Sequence, residues 1–322
     1  MEKANLCSIF SPKQVDYRGF LENKENHIMD MDYRLERQLS VLDPRLHRRY
    51  KDCVVTCQAM LSRYQSTFPT YTDHTLLHAM DVSDFCNRLI GDQLDGLTGE
   101  DLYVLLMACL FHDVGMGISL EDYELFKPQL GLTHLSGPSS QQERAEITRD
   151  FHQEFSALFL AKYGDVLDIP NEAYRFAIIQ VCRGHRKTDL MDHEAYSATF
   201  PVEEGRTVCL PYLSALLCLA DELDVGVDRN ISFLYDMDKI DNPISRMEFA
   251  KHEAIRWVEL EEHIVTLHAH SDDPAVRDEL MRLSEKLGDK LSYCRLVAAT
   301  CTQFVITQKN VRLVLNAAKE VL

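Results

Sequence analysis

Thr98-Gly-Glu-Asp101-Leu102-Tyr-Val-Leu-Leu-Met-Ala108-Cys109-Leu-Phe-His112-Asp113-Val-Gly115 is the stretch on which the fold turns. Thr98 and Asp101 stand three residues apart, the spacing of an N-terminal capping pair, ahead of a helix that runs to Asp113. Leu102, Leu105, Cys109 and His112 recur at helical spacing and share one face. Gly115 and Gly117 then stop the helix. A histidine and an aspartate therefore sit side by side at the end of an apolar helix, directly before the Val114-Gly115 break.

Working outward, the same periodicity predicts helix after helix. Asp43-Pro44 reads as an N-cap followed by proline at the first helical position, opening a helix to about Tyr64. His74, His78, Val82, Phe85 and Leu89 form one helical stripe. Helices follow at 141–163, 170–186 and 208–225, after a loop-rich segment over 127–140. No strand is expected before residue 250. Beyond it, Ile255–Leu260 and His263–His270 alternate as two short strands, and Val311–Ala317 as a last one. Between them Asp273-Pro274 opens a helix carrying Val276, Leu280, Leu283, Leu287, Leu291 and Cys294 on one stripe. The expected fold class is mainly α: a helical bundle with a small C-terminal α+β appendage. Its expected organisation is an N-terminal extension (1–40), a helical domain (41–244) and a small α+β subdomain (245–322). An exposed hairpin edge near 255–270 would suit pairing with a second copy, so a homodimer is an expectation.

The 322 residues carry a net charge of -17, which repels phosphate backbones and disfavours extended nucleic-acid binding. A small anionic substrate stays compatible with that charge, because bound metal inverts the local field. The ten cysteines form no C-x-x-C pair and read as buried free thiols in a reducing, cytoplasmic compartment. Met1–Val15 shows no secretion signal, and the longest apolar runs are too short to span a bilayer, so no membrane association is expected. There is no G-x-S-x-G, no Walker A and no dinucleotide fingerprint.

Five features place metal-competent residues on the core-facing stripe or at the end of a helix: His74-Thr-Leu-Leu-His78, His112-Asp113, His152, His185, and Asp221 after an apolar run from Leu213 to Ala220. Imidazole with carboxylate suits Mn, Fe, Zn or Mg with open positions, rather than a closed structural site. His134, His193, His252, His263, His268 and His270 have no matching context.

In that order the features resemble the HD superfamily of metal-dependent phosphohydrolases in its two-metal form. Tyr71-Thr-Asp-His74-Thr-Leu-Leu-His78, Ala108-Cys-Leu-Phe-His112-Asp113-Val-Gly115, Arg149-Asp-Phe-His152, Val181-Cys-Arg-Gly-His185 and Leu217-Cys-Leu-Ala-Asp221-Glu-Leu-Asp224 carry the likeness, over roughly residues 40–230. The resemblance implies an HD-type helical bundle with two divalent metal ions: His78, His112 and Asp221 on one, His152 and His185 on the other, and Asp113 bridging. It also implies a metal-held hydroxide as nucleophile, so Asp113 counts as catalytic, and a phosphodiesterase-like or other phosphohydrolase activity. His74, four residues before His78, is similar in position to the leaving-group acid of animal cyclic-nucleotide phosphodiesterases, although Thr75 replaces the Asn that follows that acid there. Arg149, Arg183 and Arg186 are candidates to grip substrate phosphate. Asp81, Glu222 and Asp224 are candidates to hydrogen-bond the ligand side chains. Arg186-Lys-Thr after His185 departs from the bacterial cyclic-di-nucleotide hydrolases and disfavours their substrate. The expected partner is a small phosphorylated molecule such as a nucleotide. The alternative is a metal-containing, nucleotide-binding regulatory module without turnover.

Overall fold

The computed structural model describes residues 33–61, 76–132, 140–186, 188–226 and 243–315. Ten α-helices run through them: α1 (Arg34–Leu42), α2 (Pro44–Leu61), α3 (Leu76–Ile90), α4 (Gly99–Phe111), α5 (Leu120–Phe126), α6 (Gln141–Tyr163), α7 (Glu172–Gly184), α8 (Leu210–Leu223), α9 (Pro243–Ala254) and α10 (Pro274–Cys301). The strands are β1 (Phe200–Glu203), β2 (Arg206–Val208), β3 (Ile255–Leu260), β4 (Ile264–Ala269) and β5 (Asn310–Leu315). The fold is thus a mainly α bundle with a small C-terminal sheet.

α4 is the axis of the bundle. Thr98 and Asp101 form the reciprocal cap at its start, and every residue of the helix except Asp101 is buried. The sequence stripe marked one buried face, but the helix is apolar all round, as a central helix must be. α1, α2, α3, α7 and α8 all pack on it. α2 begins as Asp43-Pro44 predicts, with the Asp43 carboxylate accepting from the backbone N–H of Arg45 and Leu46 at 2.9 and 3.0 Å. α1 has only Leu35 and Leu39 buried, one turn apart, too short a signal for periodicity to mark.

The hairpin of β1 and β2 corrects the expectation of no strand before residue 250. Its strands have four and three residues, too few to show alternation, and one of them contains Pro201. Tertiary contacts hold it instead: Gly205 takes the left-handed turn at φ 70°, Phe200 stacks on Phe176 of α7, and Arg206 pairs with the buried Glu100 of α4.

In the C-terminal sheet the order is β3-β4-β5, with β3 antiparallel and β5 parallel to β4. A parallel pair needs a long crossover, and α10 supplies it. The buried stripe of α10 (Val276, Leu280, Leu283, Leu287, Leu291, Cys294, Val297 and Ala298) packs mainly on α8 and on β5. The nine cysteines among the described residues are free thiols. No single helix among those residues is long and apolar enough to cross a membrane.

One close approach positions α6 against the end of α4. A Cβ on Gly115 would stand 2.2 Å from the His152 carbonyl oxygen and 2.7 Å from the Ser156 nitrogen. Ser156 locks this contact: its buried hydroxyl accepts from the Gly115 N–H at 2.8 Å and donates to the His112 carbonyl at 2.7 Å. Because the clash would be with backbone, Gly115→Ala is expected to cost at least about 1–3 kcal/mol. Urea denaturation measures it, and a midpoint equal to that of the wild type would disprove the steric account.

Candidate metal centre

Five helices bring one or two donors each to a single point. His78 is the third residue of α3. His112 ends α4, and Asp113 follows it in the turn. His152 lies in the middle of α6, His185 caps α7, and Asp221 occupies the last turn of α8. All four imidazoles are buried.

The rings are aimed by their Nδ1 atoms. Those of His112 and His152 stand 2.9 and 2.7 Å from the carbonyls of Cys109 and Arg149, three residues back, and that of His185 makes the same contact with Cys182. His78 Nδ1 lies 2.6 Å from the Asp224 carboxylate. Each acceptor lacks a proton, so each Nδ1 is the donor and each Nε2 is left as a lone pair. The four Nε2 lone pairs converge on Asp113. Its Oδ2 lies 3.4 Å from His78 Nε2 and 3.5 Å from His112 Nε2, while its Oδ1 lies 3.3 Å from His152 Nε2 and 3.9 Å from His185 Nε2. Asp221 Oδ1 joins the first set, 3.3 Å from His78 and 3.8 Å from His112.

Without a cation this arrangement is unfavourable. The Nε2 atoms of His78 and His112 are 3.1 Å apart, and those of His152 and His185 are 3.0 Å apart, with no proton to share between two lone pairs. These distances suit ligands held at right angles on one ion, which lie about 3.0 Å apart when the metal–nitrogen bond is about 2.1 Å. His78, His112, Asp113 and Asp221 could hold one ion, and Asp113, His152 and His185 a second. The residues present therefore fit a divalent metal with mixed nitrogen and oxygen ligation.

Protonation favours the same reading. Burial pushes His185 down to about 3. Burial also lowers His152, and Arg186 reinforces this against the pull of Asp113. Both rings are therefore neutral and ligand-competent near neutral pH.

Asp113, His152 and Asp221 also line a cavity of about 310 Å³; His78, His112 and His185 do not. Of the arginines singled out in the sequence, Arg149 and Arg186 line this cavity; Arg183 does not and instead pairs with Glu154 at 2.9 Å. Asp224 holds His78, as above. Glu222 lines the cavity but is paired with Lys286 at 2.7 Å. Asp81 lies half-buried on α3, where its charge bears on Tyr33. His74 lies outside the described residues. Sequence patterns missed the cavity's other wall: Glu248, Lys251 and His252 of α9, and Leu283 and Lys286 of α10. No motif marks them, because they reach the site through the packing of α9 on α10 and of α10 on α8.

Full-length protein loaded with Mn²⁺ is expected to gain about 2.7 kcal/mol of stability at a hundredfold excess over Kd. Asp113→Asn should remove most of that gain. Asp224→Asn, which releases His78, should weaken metal affinity by about 10- to 100-fold. Calorimetric titration and elemental analysis measure both, and wild-type affinity in Asp113→Asn would contradict a place for Asp113 among the ligands. No curated protein and no solved structure matches the chain. One family model, HD-CE, matches residues 68–295, from before α3 through most of α10 and so beyond the 40–230 span of the sequence resemblance. With four convergent imidazoles and two carboxylates at the centre of that span, the chain belongs to the HD-CE family, a family of HD-like domains.

Proposed function

We propose that this HD-type domain is a metal-dependent phosphohydrolase that cleaves a small phosphoester such as a nucleotide. In this reading it uses two divalent cations, one on His78, His112 and Asp221, one on His152 and His185, and both on Asp113. The observation that carries the proposal is the division of Asp113, whose two carboxylate oxygens each face a separate donor set. Such cations, when bound, lower the pKa of water towards neutrality and neutralise phosphoryl oxygens.

The protein's own residues do the rest. The Nδ1 contacts hold four rings in one tautomer, so no reorganisation precedes binding. Asp113 and Asp221 sit at the cavity surface, where a phosphoryl group can approach the ligand set. Arg149 and Arg186, each next to a ligand-bearing segment, are placed to bind its remaining oxygens. Among the described residues no carboxylate pairs with Arg186, so its charge is available to an anion. A cavity of about 310 Å³ suits a small ligand.

The test is turnover of p-nitrophenyl phosphate, bis-p-nitrophenyl phosphate and a nucleotide panel by Mn²⁺-loaded protein, with His112→Ala and Asp113→Ala alongside. Both variants are expected to lose about a thousandfold or more in kcat/KM, a barrier increase of at least about 4 kcal/mol. Metal binding without turnover of any ester would instead favour the regulatory-module reading.

A further inference from the structure

The cavity that reaches Asp113 and Asp221 holds one more imidazole, belonging to neither donor set: His252 of α9, which is 6% exposed. Its Nδ1 lies 3.1 Å from the carbonyl oxygen of Val225, just beyond α8. A carbonyl only accepts, so Nδ1 keeps its proton and the exchangeable position is Nε2. One turn back on the same helix, the Glu248 carboxylate stands 3.9 Å from that Nε2. Glu248 also takes Lys251 at 2.5 Å and feels the charge of Arg149. An imidazole used only for packing needs just its one donor bond. Here the second nitrogen shares a cavity wall with a carboxylate that favours its charged form, within the same space as the candidate metal ligands.

We propose that His252 is the catalytic residue that protonates the leaving oxygen, an assignment that rests on the phosphohydrolase reading. As the attacking water oxygen bonds to phosphorus, the phosphorus–oxygen bond to the leaving group breaks and its electron pair stays on that oxygen. The oxygen takes the Nε2 proton, leaving His252 neutral with Nδ1–H still on Val225. The proton released by the attacking water restores the imidazolium through solvent. Glu248 is a positioning residue that stabilises the charged ring. His74, the candidate acid from sequence position, is the rival.

A proton donor matters in proportion to how poor the leaving group is, and that dependence gives the test. Full-length, Mn²⁺-loaded wild type, His252→Gln, Glu248→Gln and His74→Gln are compared on p-nitrophenyl phosphate against ethyl phosphate, and on methyl p-nitrophenyl phosphate against dimethyl phosphate. His252→Gln is expected to lose on the order of a hundredfold in kcat on the alkyl ester, and at least about tenfold less on its p-nitrophenyl counterpart. Glu248→Gln, at a more exposed position, should move the same ratio in the same direction and guards against a folding defect in His252→Gln. Equal losses on both esters, no loss, or the split appearing in His74→Gln but not in His252→Gln would each overturn the assignment while leaving the phosphohydrolase reading intact. Failure of the wild type to turn over any ester would overturn that reading, and the role of His252 with it.

Discussion

A single buried carboxylate, Asp113, has to face two sets of donors at once, and the bundle is arranged around that demand. An ionised group taken out of water is strongly destabilising unless opposite charge compensates it, and four Nε2 lone pairs do not do so without a cation. Asp113 can be surrounded from two sides only because it sits at the very end of α4, beyond the last turn, where backbone no longer shields it. His78 of α3 and His112 face its Oδ2; α6 and α7 approach its Oδ1. The approach of α6 depends on the missing side chain at Gly115 and on the Ser156 hydroxyl that joins the two segments. α7 uses a similar device: a Cβ on Gly184, next to His185, would meet Ser214 of α8 at 2.5 Å. Small residues stand beside the ligands because the helices must come closer than ordinary side chains permit.

Orientation of the rings is mostly local. Three of the four imidazoles turn their Nδ1 to the carbonyl three residues back, a bond that a helix or its C-terminal turn offers without long-range help. Only His78, near the start of α3, has to borrow an acceptor, and takes it from Asp224 at the end of α8. That single contact joins the helix of one ligand to the helix of another. It makes the Asp221-Glu-Leu-Asp224 turn serve twice, with one carboxylate facing the donors and the other aiming a ring.

Charge is balanced at the cavity, where Asp113, Asp221, Glu222 and Glu248 face as many cationic side chains, although the chain as a whole is acidic. The protein carries -17 overall, yet Arg149, Arg186, Lys251 and Lys286 all line one small space. A cavity of this kind can admit a phosphate that the general surface repels, provided the carboxylates at its floor are neutralised. Two of the four cations, with Glu248 and His252, come from α9 and α10. These helices therefore contribute to the wall of the site as well as to the C-terminal packing.

What the sequence determined by itself was much of what short-range rules govern. The capping pair Thr98–Asp101, the Asp43-Pro44 start and the stripe of α10 from Val276 to Cys294 appear where spacing placed them, because caps and helical periodicity depend on residues within a turn or two. The histidines and aspartates now gathered at one point were visible as metal-competent residues on the core-facing stripe or at the end of a helix. Tertiary structure decided what no local rule contains: that Arg149 and Arg186 reach the cavity while Arg183 turns to Glu154, that a three- and four-residue hairpin forms under Phe176 and Glu100, and that His252 comes to the wall of the site. Each of these depends on where one helix lies against another, and that is set by the summed packing of the core rather than by the identity of any single residue.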